Sequence, residues 1–298
     1  MHDGFLNLLK PPGMTSHDLV DWVRAALDQR RVGHLGTLDP AAAGVLPISL
    51  GRATRLFKFA GGEKAYRAEV IFGVRTDTMD AEGAVISRTD AGELTEARLR
   101  QLMARFVGDV EQIPPAFSAA KVGGRKLYER ARAGDLRGGT PRRVTIRALD
   151  LLELLPGRQA RAWLDVVCSA GTFVRAIADD LGRAAGCGAY LGFLVRTRAG
   201  RFALEQSVTM EELWPLRAHP APYLLPMDWP LVHLAEVQLD AAGEAAFLHG
   251  QQVAATLELS PTVRAYGPSR GFLGLGEVDQ SDRLRPKVVL ASERDSET

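Results

Sequence analysis

Apolar residues recur at every second position from Tyr66 onward. Tyr66, Ala68, Val70, Phe72 and Val74 share one face and Arg67, Glu69, Ile71 and Gly73 the other, which predicts a strand buried more on its first face. A second strand of this kind is predicted over residues 160–168. Elsewhere the period lengthens. Leu99, Leu102, Met103 and Phe106 stand at i, i+3, i+4 and i+7, predicting a helix over 95–107 that Gly108 stops. Leu19, Val20, Val23, Ala26 and Leu27 predict another over 16–30 with Ser16 as N-cap, and Thr172 caps a third that runs through Ala185. The turn Lys10-Pro11-Pro12-Gly13 precedes the first helix. Prolines cluster from Pro220 to Pro230, and short apolar runs follow at 232–239, 263–266, 272–278 and 287–290, predicting a small β-rich unit. Strands and helices mixed without a regular βαβ alternation predict an α+β fold with a largely antiparallel sheet. The expected division is one domain over 1–230 and a second over 231–298, with the polar residues 292–298 as a disordered tail.

Apolar residues make up 46% of the 298 and charged residues 24%, enough apolar surface for real cores and too little charge for a disordered chain. No run approaches the roughly 18 apolar residues of a membrane span, and Met1-His2-Asp3-Gly4 does not begin a basic-then-apolar leader. The expectation is a soluble, cytoplasmic protein with no membrane contact. Two cysteines, Cys168 and Cys187, cannot frame a disulfide scaffold and read as reduced, buried thiols. Charge changes the picture through its placement. Residues 121–147 hold nine basic side chains against two acidic, and 202–262 hold eight acidic against Arg217 alone. Such polarity fits a polyanion met on one side, or a solvated helix face. The basic segment lies within 114–147, whose Pro114-Pro115, Gly123-Gly124, Gly134 and Gly138-Gly139 predict a long, mobile insertion around a short helical pattern of Leu127, Tyr128 and Ala131.

No phosphate-loop GxxxxGK[ST], strand-to-helix GxGxxG or His/Cys cluster of metal-ligand spacing occurs. The most unusual stretch runs from Gly33 to Pro47, where small, turn-forming and apolar residues surround one carboxylate, Asp39. Pro40 pushes Asp39 toward an extended backbone. A carboxylate in such an apolar wall needs a partner to stay ionised; an Asx turn before Pro40 is the alternative. Cys168-Ser169-Ala170-Gly171-Thr172-Phe173-Val174-Arg175 is a strand end turning into a helix. A guanidinium in the first turn opposes the helix dipole, so Arg175 makes sense if a carboxylate pairs with it. Tyr66 opens its strand ahead of the acid-rich turn Thr76-Asp77-Thr78-Met79-Asp80-Ala81-Glu82-Gly83, and on its own reads as a core aromatic.

Taken in order, these motifs resemble the bacterial TruB-type tRNA pseudouridine synthases. The segments that carry the resemblance are Lys10-Pro11-Pro12-Gly13-Met14-Thr15-Ser16, the Gly33 to Pro47 loop, Lys64-x-Tyr66, Arg75-Thr76-Asp77-Thr78-x-Asp80-x-x-Gly83, Pro114-Pro115-x-Phe117-Ser118-Ala119 and Cys168-Ser169-x-Gly171-Thr172. The resemblance implies isomerisation of uridine-55 in the T-loop of tRNA, by base flipping, glycosidic bond cleavage and C–C bond formation. It also implies a PUA-like RNA-binding domain over 231–298. Asp39 would start the cleavage, at the ribose or at C6, with Arg175 keeping it ionised and aimed and Tyr66 stacking on the uracil. Asp80 would hydrogen-bond the base edge, Leu194 would pack against it, Phe173 would line the pocket, and His34 would fill the stack that the flipped nucleotide leaves. Lys10, Arg142 and Arg143 would touch the RNA, the two arginines as part of an insertion over 114–147 that clamps T-arm phosphates. No cofactor, metal or protein partner is implied, and a monomer is expected. The chain departs from the family pattern at Phe173, where tyrosine is common, and at Val195, where an arginine often precedes Arg196. Two other readings remain beside this one: an RNA-binding protein without turnover, which the presence of both Asp39 and Arg175 opposes, and a glycosidase with Asp39 and Asp80 as its two acids.

Overall fold

The computed structural model describes residues 2–118, 120–135, 138–254 and 261–290; the expected tail at 292–298 lies outside the described residues. The chain starts with β1 (Gly4–Lys10), α1 (Ser16–Ala26), β2 (Val32–His34) and β3 (Ala43–Leu50). Next come β4 (Lys64–Phe72), the hairpin of β5 (Val74–Thr76) and β6 (Val85–Arg88), α2 (Glu96–Met103) and β7 (Gly108–Gln112). A small hairpin of β8 (Lys121–Val122) and β9 (Arg125–Lys126) leads into α3 (Leu127–Arg132). The long strand β10 (Arg142–Leu155), β11 (Arg161–Cys168), α4 (Val174–Ala185), β12 (Ala189–Ala199) and β13 (Phe202–Ala203) complete the larger sheet. After α5 (Met210–Leu213), β14 (Glu236–Gln238), α6 (Ala241–Leu248), β15 (Val253–Ala254), β16 (Val263–Gly267), β17 (Gly271–Val278) and β18 (Arg283–Val289) form a second unit.

The larger sheet runs β1-β3-β12-β4-β11-β10-β7, with β2 added to β3 and β13 to β12; every pair is antiparallel except β12 with β3. The fold is α+β, as the mixed periods predict. β4 lies at its centre, and its alternation is the reason: Tyr66, Ala68, Val70 and Phe72 are buried while Arg67 is exposed. Gly73 ends it one residue before the predicted Val74. Its φ of +92° is a glycine conformation, and a side chain there would meet the Arg158 carbonyl oxygen at 2.5 Å. On the buried face, Val70, Phe72, Leu164 and Val166 pack with Ile177, Ala178 and Leu181 of α4 and with Leu99 and Leu102 of α2. Each such fully buried Val, Leu, Ile or Phe side chain contributes about 1.5–3 kcal/mol.

Two caps differ from expectation. Thr15, not Ser16, caps α1, through a reciprocal capping box with Asp18. Ser16 is buried one position further in, where its hydroxyl serves the loop described below. Thr172 does not cap α4 either: its hydroxyl turns back to the Ser169 carbonyl at 2.9 Å, and Phe173 stands at the N-cap position. The insertion predicted over 114–147 is also shorter than expected. Residues from Arg142 onward belong to β10, which pairs with β7 from Arg142↔Gln112 to Ile146↔Gly108, so Arg142, Arg143 and Arg147 sit on the sheet rather than in a loop. Ala119 and Arg137 of that insertion lie outside the described residues.

The second sheet runs β14-β16-β17-β18-β15. It packs straight onto the first: Leu275, Val288 and Leu290 share a core with Phe5, Val45, Leu56 and Leu231. The proline-rich stretch between the sheets is part of this packing, since Leu225 exchanges two backbone hydrogen bonds with Phe5. Arg52 adds a bond from Nη1 to the Leu290 carbonyl at 3.1 Å.

Candidate active site

Antiparallel register brings the chemistry to one end of the larger sheet. Lys64 at the start of β4 faces Cys168 at the end of β11, and Tyr66 lies opposite Arg196 on β12. The chain leaves β11 through the turn at 169–172 and enters α4, so Arg175 is delivered to the same end. There a cavity of about 270 Å³ opens, with Asp39, Tyr66, Arg142, Phe173, Arg175 and Leu194 in its wall. That is near the lower bound for small-molecule pockets.

Arg175 is buried, and four of its five N–H groups donate hydrogen bonds. Nη1 donates to Asp80 Oδ2 at 3.0 Å and to the Thr78 carbonyl at 3.2 Å. Nη2 donates to Asp39 Oδ1 at 3.3 Å and to the Phe117 carbonyl at 2.8 Å. Nε lies 3.1 Å from Asp39 Oδ2, an ion-pair contact without hydrogen-bond alignment. The Asx-turn alternative for Asp39 is thereby excluded: its carboxylate is turned to the guanidinium. Asp80 is held as well, accepting from the Thr78 hydroxyl and, at 3.1 Å, from the Glu82 amide. It stands outside the cavity wall, behind Arg175. Oδ2 meets the guanidinium and Oδ1 the Thr78 and Glu82 donors, so in the structure Asp80 supports Arg175 and does not line the cavity where a base-edge contact was expected.

The Asp39 side chain remains 42% exposed, open to the cavity. Burial of the surrounding loop pushes its pKa up, the Arg175 charge opposes the rise, and the negative charge of Asp80 adds to it. Burial likewise raises the Tyr66 phenol, against the opposing charge of Arg196. Burial lowers His34, so its imidazole is neutral at pH 7.

The loop that carries Asp39 has no regular secondary structure, so its backbone groups need other partners. Three side chains supply them. Arg196, fully buried, donates from Nε to Val45 at 2.7 Å and from Nη2 to Gly36 at 3.0 Å, with Nη1 toward Thr37 at 3.4 Å. Ser16 Oγ donates to the Leu38 carbonyl at 3.0 Å and accepts from the Leu38 amide at 2.8 Å. Lys10 Nζ donates to the carbonyls of Pro11, Met14 and Pro40 at 2.9, 2.7 and 3.1 Å. Lys10 was expected to touch RNA. It is wholly buried with all three protons engaged, so it supports the Asp39 loop instead. Gly44 completes the arrangement: with φ at +113°, any side chain there would run into the Arg196 backbone.

The remaining expected residues divide. Tyr66 and Leu194 line the cavity with Phe173. The Phe173 ring lies 4.4 Å from the Arg142 guanidinium, and its backbone is clamped by the buried Gln112, which donates to its carbonyl at 3.2 Å and accepts from its amide at 3.0 Å. Arg142 faces the cavity and donates to the Gly171 carbonyl. Arg143, the next residue on β10, is exposed on the other face, so the two do not act as a pair. His34 sits on β2 outside the cavity wall, its Nδ1 buried and without a hydrogen bond among the described residues. Ser16 entered the sequence reading only as a helix cap and Arg196 only as the neighbour of Val195, and Gln112 had no part in it. Only Arg196 carried a signal: two residues from Leu194 on a strand, it faces the same way, which makes it a charge on a buried face.

Family comparisons bear on this arrangement directly. Residues 24–174 match the model of the TruB family pseudouridylate synthase N-terminal domain, and 175–232 and 235–290 match two C-terminal models described as tRNA pseudouridylate synthase B and pseudouridine synthase II TruB. The chain belongs to the TruB family. Among its relatives, tRNA pseudouridine synthase B of Symbiobacterium thermophilum is 52% identical over 83% of this chain and 82% of its own length. The protein of the same name from Gloeothece citriformis is 41% identical over 97% of both chains. Of solved structures, a Cbf5–Nop10–Gar1 complex matches with a TM-score of 0.74 at 25% identity, over 98% of this chain and 86% of that one. An H/ACA RNP bound to a substrate RNA containing 2′-deoxyuridine matches at 0.71 and 24% identity, over 97% and 85%, which speaks to the fold. The TruB pattern departs at Val195, and that residue pairs with Arg67 on β4 and Ala43 on β3, facing away from the cavity. Among the described residues, no helix is long and apolar enough to cross a membrane, and no group of three or more His, Cys, Asp or Glu side chains could hold a metal.

Proposed function

We propose that this protein is a tRNA pseudouridine synthase that isomerises uridine-55 in the T-loop. The observation that carries the reading is the Asp39 carboxylate, open to a small cavity and ion-paired to a buried arginine, with Tyr66 and Leu194 as flat and apolar walls. Uridine enters by flipping, since the reacting bond is inaccessible in a stacked loop. The N1–C1′ bond breaks, the uracil turns, C5 bonds to C1′, and the proton on C5 is lost as N1 gains one. The sum is an isomerisation. Asp39 acts as nucleophile or base, at the ribose or at C6. Tyr66 stacks on the uracil near C5, Leu194 and Phe173 enclose it, and neutral His34 replaces the flipped base in the stack. Lys10, Ser16 and Arg196 hold the Asp39 loop in register.

Residues 1–230 form the catalytic domain in this reading. Residues 231–298 form a PUA-like RNA-binding domain, and the part of the insertion that precedes Arg142 grips T-arm phosphates. The protein acts on tRNA in the cytoplasm as a monomer. The test is tritium release from an unmodified tRNA transcript carrying [5-³H]uridine, with the modified position mapped afterwards. Wild type should release tritium from the T-loop, and Asp39→Asn should release none while binding tRNA as before. Full activity in Asp39→Asn would sink the assignment.

A further inference from the structure

Lys64 belongs to the cavity wall and has no task in the reading above. It stands two residues before Tyr66 on β4, hence on the same face of the strand. Its ammonium lies on Gly36, in the loop between His34 and Asp39: a methyl group built on Gly36 would sit 2.6 Å from Nζ. We propose that Lys64 binds the phosphodiester next to the flipped uridine, where the RNA backbone passes from the stack at His34 into the cavity. The inference rests on the flipping mechanism proposed above and adds to it the anion that mechanism must accommodate. With the base in the cavity and His34 in its former place, the sugar–phosphate link has to run between the two. Lys64 occupies that position.

The other cations nearby are engaged. Arg175 and Arg196 hold carboxylates and carbonyls, and Arg142 bonds the Gly171 carbonyl and covers Phe173; the unbonded Nε atoms of Arg175 and Arg142 are buried and out of reach of an entering phosphate. Lys64 donates no hydrogen bond and forms no ion pair among the described residues. The groups facing it leave it without a counter-ion near pH 7. On β12 there is cationic Arg196, on β2 neutral His34, and on β4 and β11 Tyr66 and Cys168, each held protonated by burial. Burial and Arg196 accordingly bring the ammonium down to about 8. An ammonium kept in such surroundings without a protein anion suits one that arrives with the substrate, and the phosphodiester is the anion of RNA.

The test is a double-mutant cycle on a T-arm stem-loop carrying [5-³H]uridine at the target, with a neutral methylphosphonate at one or the other flanking linkage. In wild type, one of the two neutral linkages should lower kcat/KM by about tenfold or more, the size of a hydrogen bond to a charged group. Lys64→Met should show that loss on the natural RNA and no further loss with the neutral linkage. Lys64→Arg should recover most of the activity and the sensitivity. Full activity in Lys64→Met, or the same added loss from the neutral linkage in Lys64→Met as in wild type, would overturn the proposal. Thermal melts should place both variants at or above wild type, since a poorly solvated cation is removed or replaced in kind. Absence of tritium release by wild type on the natural RNA would count against the proposed function instead; the same cycle read in Kd would then decide for or against the Lys64 contact.

Discussion

Replacing Arg175 with methionine separates two things its guanidinium does. It holds Asp39 by contacts of 3.1 and 3.3 Å and Asp80 by one of 3.0 Å. An arginine neighbour typically lowers a carboxylate pKa by about 1–3 units. The Asp39 side chain is 42% exposed, so solvent screening sets the expected effect at the low end, about 1 unit or 1.4 kcal/mol. The sign follows from the chemistry: turnover needs the ionised carboxylate, so activity falls as pH drops through the Asp39 pKa. That pKa is already above the ordinary carboxylate value, and losing Arg175 raises it further. The acid limb of kcat/KM, followed by tritium release from pH 5 to 9, should therefore move to higher pH by about one unit. Stability changes independently. Asp80 and the carbonyls of Thr78 and Phe117 lose their partner in a largely buried place, which costs about 3 kcal/mol, read by urea unfolding at pH 7. A domain with roughly 5–15 kcal/mol in hand stays folded. Arg175→Lys, whose single ammonium serves one carboxylate at a time, should fall between wild type and Arg175→Met on both scales. An acid limb that stays in place in Arg175→Met, with a stability loss under about 1 kcal/mol, would refute the ion pair as the determinant of Asp39 ionisation.

Lys10→Met should destabilise by at least about 3 kcal/mol in urea, because three buried carbonyls lose their donor at about 1 kcal/mol or more each. Tritium release should fall with it as the Asp39 loop loosens, whereas a residue that merely touched RNA would change KM and leave the unfolding midpoint alone. Arg142→Ala and Arg143→Ala should differ: the first lowers turnover at saturating RNA, since Arg142 covers Phe173 at the cavity. The second leaves turnover intact and changes at most the salt dependence of binding, by a slope of about 1 for one phosphate contact. Equal losses of turnover in the two would contradict their placement on opposite faces of β10.

What the sequence revealed and what it hid follow from how each residue does its work. The strand at Tyr66 was legible because its face buries every second side chain, and α1 and α2 because their apolar positions repeat at helical spacing; in these cases the pattern itself is the cause of the structure. Asp39 and Arg175 were each legible for a different reason, and the family resemblance joined them as a pair. Each is an electrostatic anomaly where it stands, a carboxylate among apolar residues and a cation at a helix start, and each anomaly is relieved by the other. Of the residues that hold the Asp39 loop, Ser16 and Lys10 present no such anomaly. Ser16 follows Thr15, and two adjacent hydroxyls both fit a cap, so no local rule tells the capping residue from the one that turns inward to Leu38. Lys10 in a Lys-Pro-Pro-Gly turn reads as a cation free to meet RNA until its ammonium is seen under three carbonyls. Gln112 ends an ordinary edge strand 61 positions from the Phe173 it clamps. Ser16 and Lys10 satisfy backbone groups that a glycine- and alanine-rich loop cannot satisfy within itself, and the requirement belongs to the folded arrangement of β1, α1 and β12 around the loop. The same reasoning explains why Arg142 and Arg143 were misplaced. Basic residues flanked by glycine and proline look like loop whether or not a sheet edge is waiting for them, and β10 starts at Arg142 because β7 offers it a partner from Gln112 to Gly108.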